Sequence, residues 1–208
     1  MKTVLVTGGS RGIGAAIVEV LTTAGYEVDW TSTSNPAPKV TKYDILVNNA
    51  AITQEKPFQN LTAEDVEKMF GVNFLLPLHY SQLYLPHMIS KGWGRIINIV
   101  SIGGQTGGRN QLHYAASKAA LISLTKGLSN LYAKDGITTN AVSPGLVNTK
   151  MSMEEFMRGE GQKKMESTPI GRIAEPEEIA NIVKFLCSTD SSYITGQTIN
   201  ANGGVYCS

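Results

Sequence analysis

Thr3-Val4-Leu5-Val6-Thr7-Gly8-Gly9-Ser10-Arg11-Gly12-Ile13-Gly14 is the stretch on which the fold turns. Its first four residues are β-branched or apolar without a break, as a strand buried on both faces requires. Three glycines follow in the spacing Gly8-x-x-x-Gly12-x-Gly14. Residues 13–23 then repeat apolar side chains at helical intervals, and Gly25 is a helix stop. Strand, glycine turn and helix in that order make a phosphate cradle. Glycine accepts the positive φ of a tight turn, backbone N–H groups approach the anion, and the helix N-terminus faces its charge. A glycine turn can also serve helix–sheet packing alone; the flanking strand and helix point to a nucleotide.

Outward from that turn the same alternation continues. Residues 27–32, 44–47, 95–100, 138–142 and 198–201 read as further strands. Between them, Thr62 and Asp65 make a capping box for a helix that turns Val66, Met69 and Phe70 inward. The helix after Tyr114 carries Leu121, Leu124, Leu128 and Leu131. Another begins at Pro176, with Glu177 and Glu178 in its first turn and Ile179, Ile182, Val183 and Leu186 on its inner face. Short strands separated by helices are βαβ units. The expected fold is α/β, a Rossmann-type doubly wound parallel sheet in a single domain over residues 1–208. Such sheets bind ligands beyond the carboxyl ends of their strands.

Composition narrows the function. With 42% apolar and 17% charged residues, the chain is not disordered. Its 18 basic and 17 acidic residues leave a net charge of +1, which favours neither nucleic acid nor an anionic membrane as partner. No apolar run approaches the length of a membrane span, and the N-terminus has no signal-peptide core. Cys187 and Cys207 form no disulfide framework and suit a reducing, cytoplasmic setting. His79, His87 and His113 lack metal-ligand spacing, so no metal site is expected.

An acidic residue at the end of the second strand, about 20 residues past the turn, marks a preference for NAD. Here that end reads Thr31-Ser32-Thr33-Ser34, without an acid, and Asp29 lies earlier, inside the strand. Arg11 in the turn and small hydroxyls opposite leave room for a 2′-phosphate. The expected cofactor is NADPH or NADP rather than NADH. The bland alternative for Arg11 is a solvated surface charge.

Tyr114-Ala115-Ala116-Ser117-Lys118 places a tyrosine and a lysine at i, i+4, on one helical face. A nearby ammonium favours phenolate and brings tyrosine toward acid–base work near neutral pH. Ser101 follows the strand at 95–100, at its carboxyl end, where a hydroxyl can bond a carbonyl oxygen. Taken singly, these describe many solvated helix faces and turn caps. Together with the glycine turn they form a pattern.

That pattern resembles the short-chain dehydrogenase/reductase family, and within it the bacterial 3-oxoacyl-(acyl-carrier-protein) reductases. The resemblance covers nearly the whole chain. It rests on residues 7–14, Asn48-Asn49-Ala50-Ala51, Val72-Asn73, Ser101 with Tyr114 and Lys118, Ser143-Pro144-Gly145, and the tail from Tyr193-Ile194-Thr195-Gly196-Gln197 to Gly203-Gly204. It implies that Tyr114 is the catalytic acid/base and that Ser101 orients the substrate carbonyl. It also implies that Lys118 binds the nicotinamide ribose and lowers the Tyr114 pKa, and that Asn73 holds a proton-relay water. Gly8, Ser10, Arg11, Gly12, Ile13, Gly14 and Thr33 would hold the phosphate side of the cofactor. Asn49 and Ala50 would line its ribose, and Pro144, Gly145, Val147 and Thr149 its nicotinamide. The implied activity is reduction of a ketone, small or carrier-bound, such as a 3-oxoacyl thioester, in a homotetramer. Alternatives are an alcohol or sugar-alcohol dehydrogenase and a non-catalytic nucleotide-sensing subunit.

Two departures stand out. Ala51 replaces the family's glycine. More consequential, the family carries a helix, a third strand and a further helix after the second strand, whereas here only residues 33–42 join the ends, with Pro36 and Pro38 opposing helix. Ten extended residues reach about 33 Å, against a span of about 20 Å. The sheet is therefore expected to have six strands, with the second at an edge. The missing segment supplies adenine contacts, so weaker NADPH binding, or a loop at 33–42 that orders only with ligand, is expected. Residues 150–167, polar and rich in methionine, match the family's mobile substrate lid, or else form a plain amphipathic surface helix. Gln105, Asn110 and His113 could reach substrate, although a histidine in that place is more often exposed and inert.

Overall fold

The computed structural model describes residues 1–35, 42–108, 110–157 and 160–207. Strands β1 (Thr3–Thr7), β2 (Glu27–Thr31), β3 (Ile45–Asn48), β4 (Gly94–Ile99), β5 (Ile137–Pro144) and β6 (Thr198–Ala201) form one parallel sheet in the order β2-β1-β3-β4-β5-β6. Residues along each strand alternate between two cores, as the period of two dictates. Val4, Val6, Ile45, Val47, Ile97 and Ile99 pack under helices α1 (Gly12–Thr23) and α8 (Pro176–Cys187). Leu5, Leu46 and Ile96 face the other way, against Tyr84 and Met88 of α3 (Leu76–Lys91) and Leu128 of α5 (Leu112–Tyr132). Both faces are covered, which is why the strands read as unbroken apolar runs.

Local chemistry sets the ends. Gly25, at φ +86°, closes α1 in a Schellman motif: its N–H donates to Thr22 O at 3.0 Å and Tyr26 N–H to Leu21 O at 3.1 Å. The expected Thr62–Asp65 capping box opens α2 (Ala63–Phe70), with Met69 buried and Val66 and Phe70 half-buried. A π-helical turn, Gly71–Leu75, joins α2 to α3. At the amino ends of β1 and β3, the buried Asp44 carboxylate accepts from Lys91 Nζ at 2.7 Å, His87 Nε2 at 3.2 Å and Thr3 N–H at 3.2 Å.

Six strands and an outer second strand are as expected, since β2 pairs with β1 alone among the described residues. Asp29 lies within β2 and accepts a 2.6 Å bond from Tyr43, and Tyr43 meets Tyr84 edge-on. The reading of Pro36 and Pro38, and of ordering between 33 and 42, falls largely outside the described residues. The leucine stripe of α5 divides: Leu121 and Leu128 are buried and Leu131 is exposed. The segment read as a substrate lid or a plain amphipathic surface helix carries two short helices, α6 (Lys150–Met157) and α7 (Glu160–Glu166). No helix among the described residues is long and apolar enough to cross a membrane.

Candidate active site

The carboxyl ends of β1, β3, β4 and β5 converge on one rim, and the sequence motifs lie along it. The turn after β1 is shaped by glycines at positions where a side chain has no place. Gly8 and Gly12 sit at φ +69° and +54°. A Cβ on Gly14 would lie 2.1 Å from Gly8 O. Thr7 Oγ1 accepts from Asn49 N–H and Ala50 N–H, both at 3.0 Å, and Asn49 Nδ2 donates to Thr7 O at 3.0 Å and Gly8 O at 3.1 Å. The Asn49 amide thus braces the turn, and its neighbour Ala50 backs onto Gly8, where a Cβ would come 2.9 Å from the Ala50 Cα. Arg11 occupies the N-cap of α1 with no side-chain capping bond, leaving its first N–H groups directed out of the turn. Gly9 N–H donates to Thr31 O at 3.0 Å, bringing the end of β2 beside the turn. There Ser32, Ser34 and Asn35 fold back on one another, and Ser10, Arg11 and Thr33 are exposed at the same corner. The geometry fits the diphosphate of a dinucleotide: a cradle of backbone that any Cβ would fill, opening onto a helix N-terminus.

Across the rim, β5 ends at Pro144, and Gly145 N–H donates to Ala201 O at 3.0 Å. Val147 is buried and bridges Ala174. Thr149, at the start of α6, lies 3.3 Å from where a Gly12 Cβ would be. These residues therefore close the far side of the same cleft.

The proposed reacting groups come from α5 and the end of β4. Lys118 is 2% exposed; its Nζ donates to Ile99 O at 2.9 Å and lies 5.8 Å from the Tyr114 ring centre. Burial lowers its pKa to about 8. Ser101 follows β4, and its Oγ accepts from Gly103 N–H at 3.2 Å. Helix α4 (Gly103–Thr106) presses onto α5 through Gly104, where a Cβ would come 2.9 Å from the Lys118 carbonyl carbon. Asn73 sits in the π turn, fully buried. Its Oδ1 accepts from Ile52 N–H at 2.9 Å, and its Nδ2 donates to Ile52 O at 3.0 Å and Ser117 Oγ at 3.1 Å. A π turn at a functional site is a recurrent device. Tyr114, Lys118, Asn73 and Ser101 thus lie on three adjoining elements, α5, the π turn and the end of β4.

Two expectations change. Gln105 is engaged inside the fold, donating to Ser143 Oγ at 2.9 Å and Asn200 Oδ1 at 2.6 Å. His113 is 3% exposed, not an exposed surface histidine, and its Nε2 lies 3.0 Å from Gln54 Oε1. Asn110 has φ +52° and accepts at its carbonyl from Lys56 N–H at 2.7 Å. Thr7, Gln54 and Ser117 are site residues that sequence reasoning misses; Thr7 and Ser117 stand inside quoted motifs but are given no role there, and Gln54 stands in none. No group of three metal-ligating side chains occurs among the described residues.

Known proteins place the chain in a family. Residues 37–206 match a family model described as enoyl-(acyl carrier protein) reductase. A 3-oxoacyl-(acyl-carrier-protein) reductase of Aquifex aeolicus is 38% identical over 244 residues, covering 99% of this chain and 97% of the relative. An acetoacetyl-CoA reductase of Rhizobium meliloti is 38% identical over 237 residues, with 99% and 98% covered. Both alignments are longer than the 208-residue chain, so each relative carries a segment that this chain lacks. Among solved structures, the ligand-free aldohexose dehydrogenase of Thermoplasma acidophilum superposes with a TM-score of 0.90 at 28% identity, covering 98% of this chain and 93% of the other. A protein assigned as a gluconate dehydrogenase of Agrobacterium tumefaciens gives 0.92, also at 28%, with 98% and 95% covered.

Proposed function

Because the chain belongs to the short-chain dehydrogenase/reductase family and is an NAD(P)-dependent oxidoreductase, we propose that it reduces the 3-oxo group of an acyl thioester with NADPH. The observation that carries this reading is the joint placement of Ser101, Tyr114, Lys118 and Asn73 on one rim, beside a glycine cradle with no acid at the end of β2. The description of the matched family names reduction of a carbon–carbon double bond, whereas both quoted relatives reduce a ketone. A hydroxyl pair, Ser101 and Tyr114, is built to serve an oxygen and favours the ketone.

Gly8, Ser10, Arg11, Gly12, Ile13, Gly14 and Thr33 would hold the phosphates, Asn49 and Ala50 the adjoining ribose, and Pro144, Gly145, Val147 and Thr149 the nicotinamide end. When bound there, the dinucleotide would supply the hydride chemistry. The chain's part is placement and the proton. Ser101 donates a hydrogen bond to the carbonyl oxygen and fixes its direction. Tyr114 Oη gives its proton to that oxygen as negative charge develops there. The Lys118 ammonium steadies the phenolate left behind, and Asn73, anchored on Ile52, orients the water that returns the proton. Residues 150–167 would cover the substrate. A homotetramer is the assembly we favour; Leu75, Leu83, Leu112 and Leu131 leave apolar surface on the π turn, α3 and α5.

The decisive assay follows the nicotinamide absorbance of purified protein with acetoacetyl-CoA and either NADPH or NADH. Faster turnover with NADPH is expected, with Tyr114→Phe losing about 100- to 10,000-fold in kcat. The likeness to sugar dehydrogenases motivates a second reading, oxidation of a sugar with NAD(P). It would hold if aldohexoses or gluconate, and not thioesters, gave turnover.

A further inference from the structure

Helix α5 carries two i, i+4 pairs in its first turns. Tyr114 and Lys118 are one. His113 and Ser117, one residue back and so about 100° around the axis, are the other. The second pair is buried, at 3% and 0% exposed, and both members are tied to the loop that follows β3, His113 directly through Gln54 and Ser117 by way of Asn73. Ser117 Oγ accepts from Asn73, which brackets Ile52 of that loop, and donates to the Tyr114 backbone carbonyl at 2.7 Å. Two residues further along the loop, Gln54 meets His113.

The atoms of that second contact are assigned by their neighbours. Gln54 Nε2 donates to Asp65 Oδ1 at 2.9 Å. Asp65 also accepts from Lys56 Nζ, Thr62 N–H and Thr62 Oγ1, contacts that keep it ionised. An ionised carboxylate can only accept, so Gln54 turns its NH₂ toward Asp65 and its carbonyl toward His113. His113 therefore carries its proton on Nε2. Burial lowers the His113 pKa; among charged groups facing it, Asp65 opposes that shift and Lys56 adds to it. Burial thus favours the neutral ring, and Nδ1 is buried with no partner among the described residues. The contact is a geometric link, not a charge pair. It lies where a link is needed: Gln111, the N-cap residue of α5, makes no side-chain capping bond, and Asn110 before it is in the left-handed region.

We propose that the Gln54–His113 hydrogen bond, acting beside the Asn73–Ser117 bond, is a positioning contact that fixes the axial place and rotation of α5, and so aims Tyr114 and Lys118 at the substrate carbonyl. This rests on the reductase reading above. His113 and Gln54 are positioning residues; neither is assigned a step with substrate.

The test uses the full chain. His113→Leu keeps the volume and removes the donor, while His113→Gln restores a donor at similar reach. In His113→Leu, kcat for acetoacetyl-CoA falls about 10- to 100-fold while KM for NADPH stays within about twofold, and His113→Gln recovers most of the rate. The Tyr114 phenol, read as the ultraviolet ionisation difference between each protein and its Tyr114→Phe counterpart, titrates about one unit higher in His113→Leu as Lys118 loses its alignment. A folded His113→Leu with wild-type kcat overturns the proposal, as does a His113→Gln as slow as the leucine variant. If His113→Leu does not fold, Gln54→Leu breaks the same bond from the loop side and is judged by the same criteria. If the wild type reduces no thioester, the reductase reading fails instead. The phenol titration then decides alone, and a Tyr114 transition unmoved by His113→Leu overturns the positioning role.

Discussion

Burial lowers the Lys118 pKa to about 8, from an ordinary value of 10.5. In the unfolded chain this lysine keeps its proton up to the higher value. Between the two, only the unfolded state binds the proton, so the contribution of Lys118 to stability rises with pH over that window. Below pH 8 both states are protonated, and the folded protein bears the full cost of a buried ammonium bonded to one carbonyl, Ile99 O. Lys118→Met should therefore stabilise the protein at pH 7, by about 1–3 kcal/mol, or about 2–12 °C in Tm for a chain of this length. That margin should close as the melts are repeated toward pH 10. The same variant should have no measurable reductase activity, and wild-type kcat/KM should decline above pH 8 as Lys118 loses its proton. A variant that is less stable than wild type at pH 7 would show that the ammonium is better satisfied than one carbonyl allows. The residues of this scale were unevenly legible. Ser101, Tyr114 and Lys118 announce themselves because Tyr and Lys share one face of one helix and Ser101 closes one strand. Gln54 and Ser117 do not, because their partners His113 and Asn73 lie 59 and 44 residues away and no local period links them. His113 differs from Tyr114 by one position, and that 100° is enough to take it from the cleft to the interior.

At the scale of elements, two glycines in helices make opposite predictions. Gly14, in the first turn of α1, has no room for a side chain: its Cβ would meet Gly8 O at 2.1 Å and Asn49 Nδ2 at 2.5 Å. The obstacle is backbone, so the cofactor turn must open. Gly14→Ala is expected to abolish nucleotide binding in a fluorescence titration and to lower stability by about 1–3 kcal/mol. Gly127, exposed in the middle of α5, has nothing within 4 Å of its would-be Cβ. Gly127→Ala should raise stability by about 0.5–1 kcal/mol, measured by urea unfolding, with unchanged activity. A second element-scale prediction concerns how α3 is fastened to the sheet. Burial alone would raise the Asp44 pKa, but hydrogen bonds from Lys91, Thr3 N–H and His87 outweigh it and hold the carboxyl below its ordinary value. The stability it contributes is present above the ordinary carboxylate pKa and is lost as pH falls through the depressed one. Asp44→Ala should cost about 2–4 kcal/mol at pH 7 and flatten the acid limb of the stability profile. Most strands and helices were legible because unbroken β-branched runs and an apolar period near four are printed in the sequence. The places of α6 and α7 within residues 150–167 were not, since that polar, methionine-rich stretch carries no strong apolar period.

At the scale of the molecule, the unusual feature is the sheet's outer edge. The six-strand order was legible because a ten-residue join cannot hold a strand flanked by two helices. What covers the exposed face was not, since it depends on contacts between β2 and Tyr43, two residues before β3. Tyr43 swings under the sheet, gives its hydroxyl to Asp29 and stacks edge-on against Tyr84. Together with Tyr80 and Met88 it seals the lower core without an added strand. That solution lies at the middle and amino ends of the strands. Nothing among the described residues provides a comparable cover at the carboxyl end of β2, where Ser32, Ser34 and Asn35 bond one another beside the glycine turn. The cradle and the reacting groups belong to β1, β4, β5 and α5, which the shortening leaves untouched. The loss should therefore fall on the adenosine half of the cofactor and spare the chemistry. KM for NADPH is expected to be about tenfold above that of a full-length relative such as the Aquifex aeolicus reductase under the same conditions, the equivalent of one hydrogen bond. At saturating cofactor, kcat should be comparable. A competition assay separates this from a general weakening of the site. The affinity of reduced nicotinamide mononucleotide, which has no adenosine, should match between the two proteins, while that of NADPH differs. Equal KM values for NADPH would mean that the turn at Ser32–Asn35, or the residues that follow it, replaces what the longer relatives draw from their extra segment.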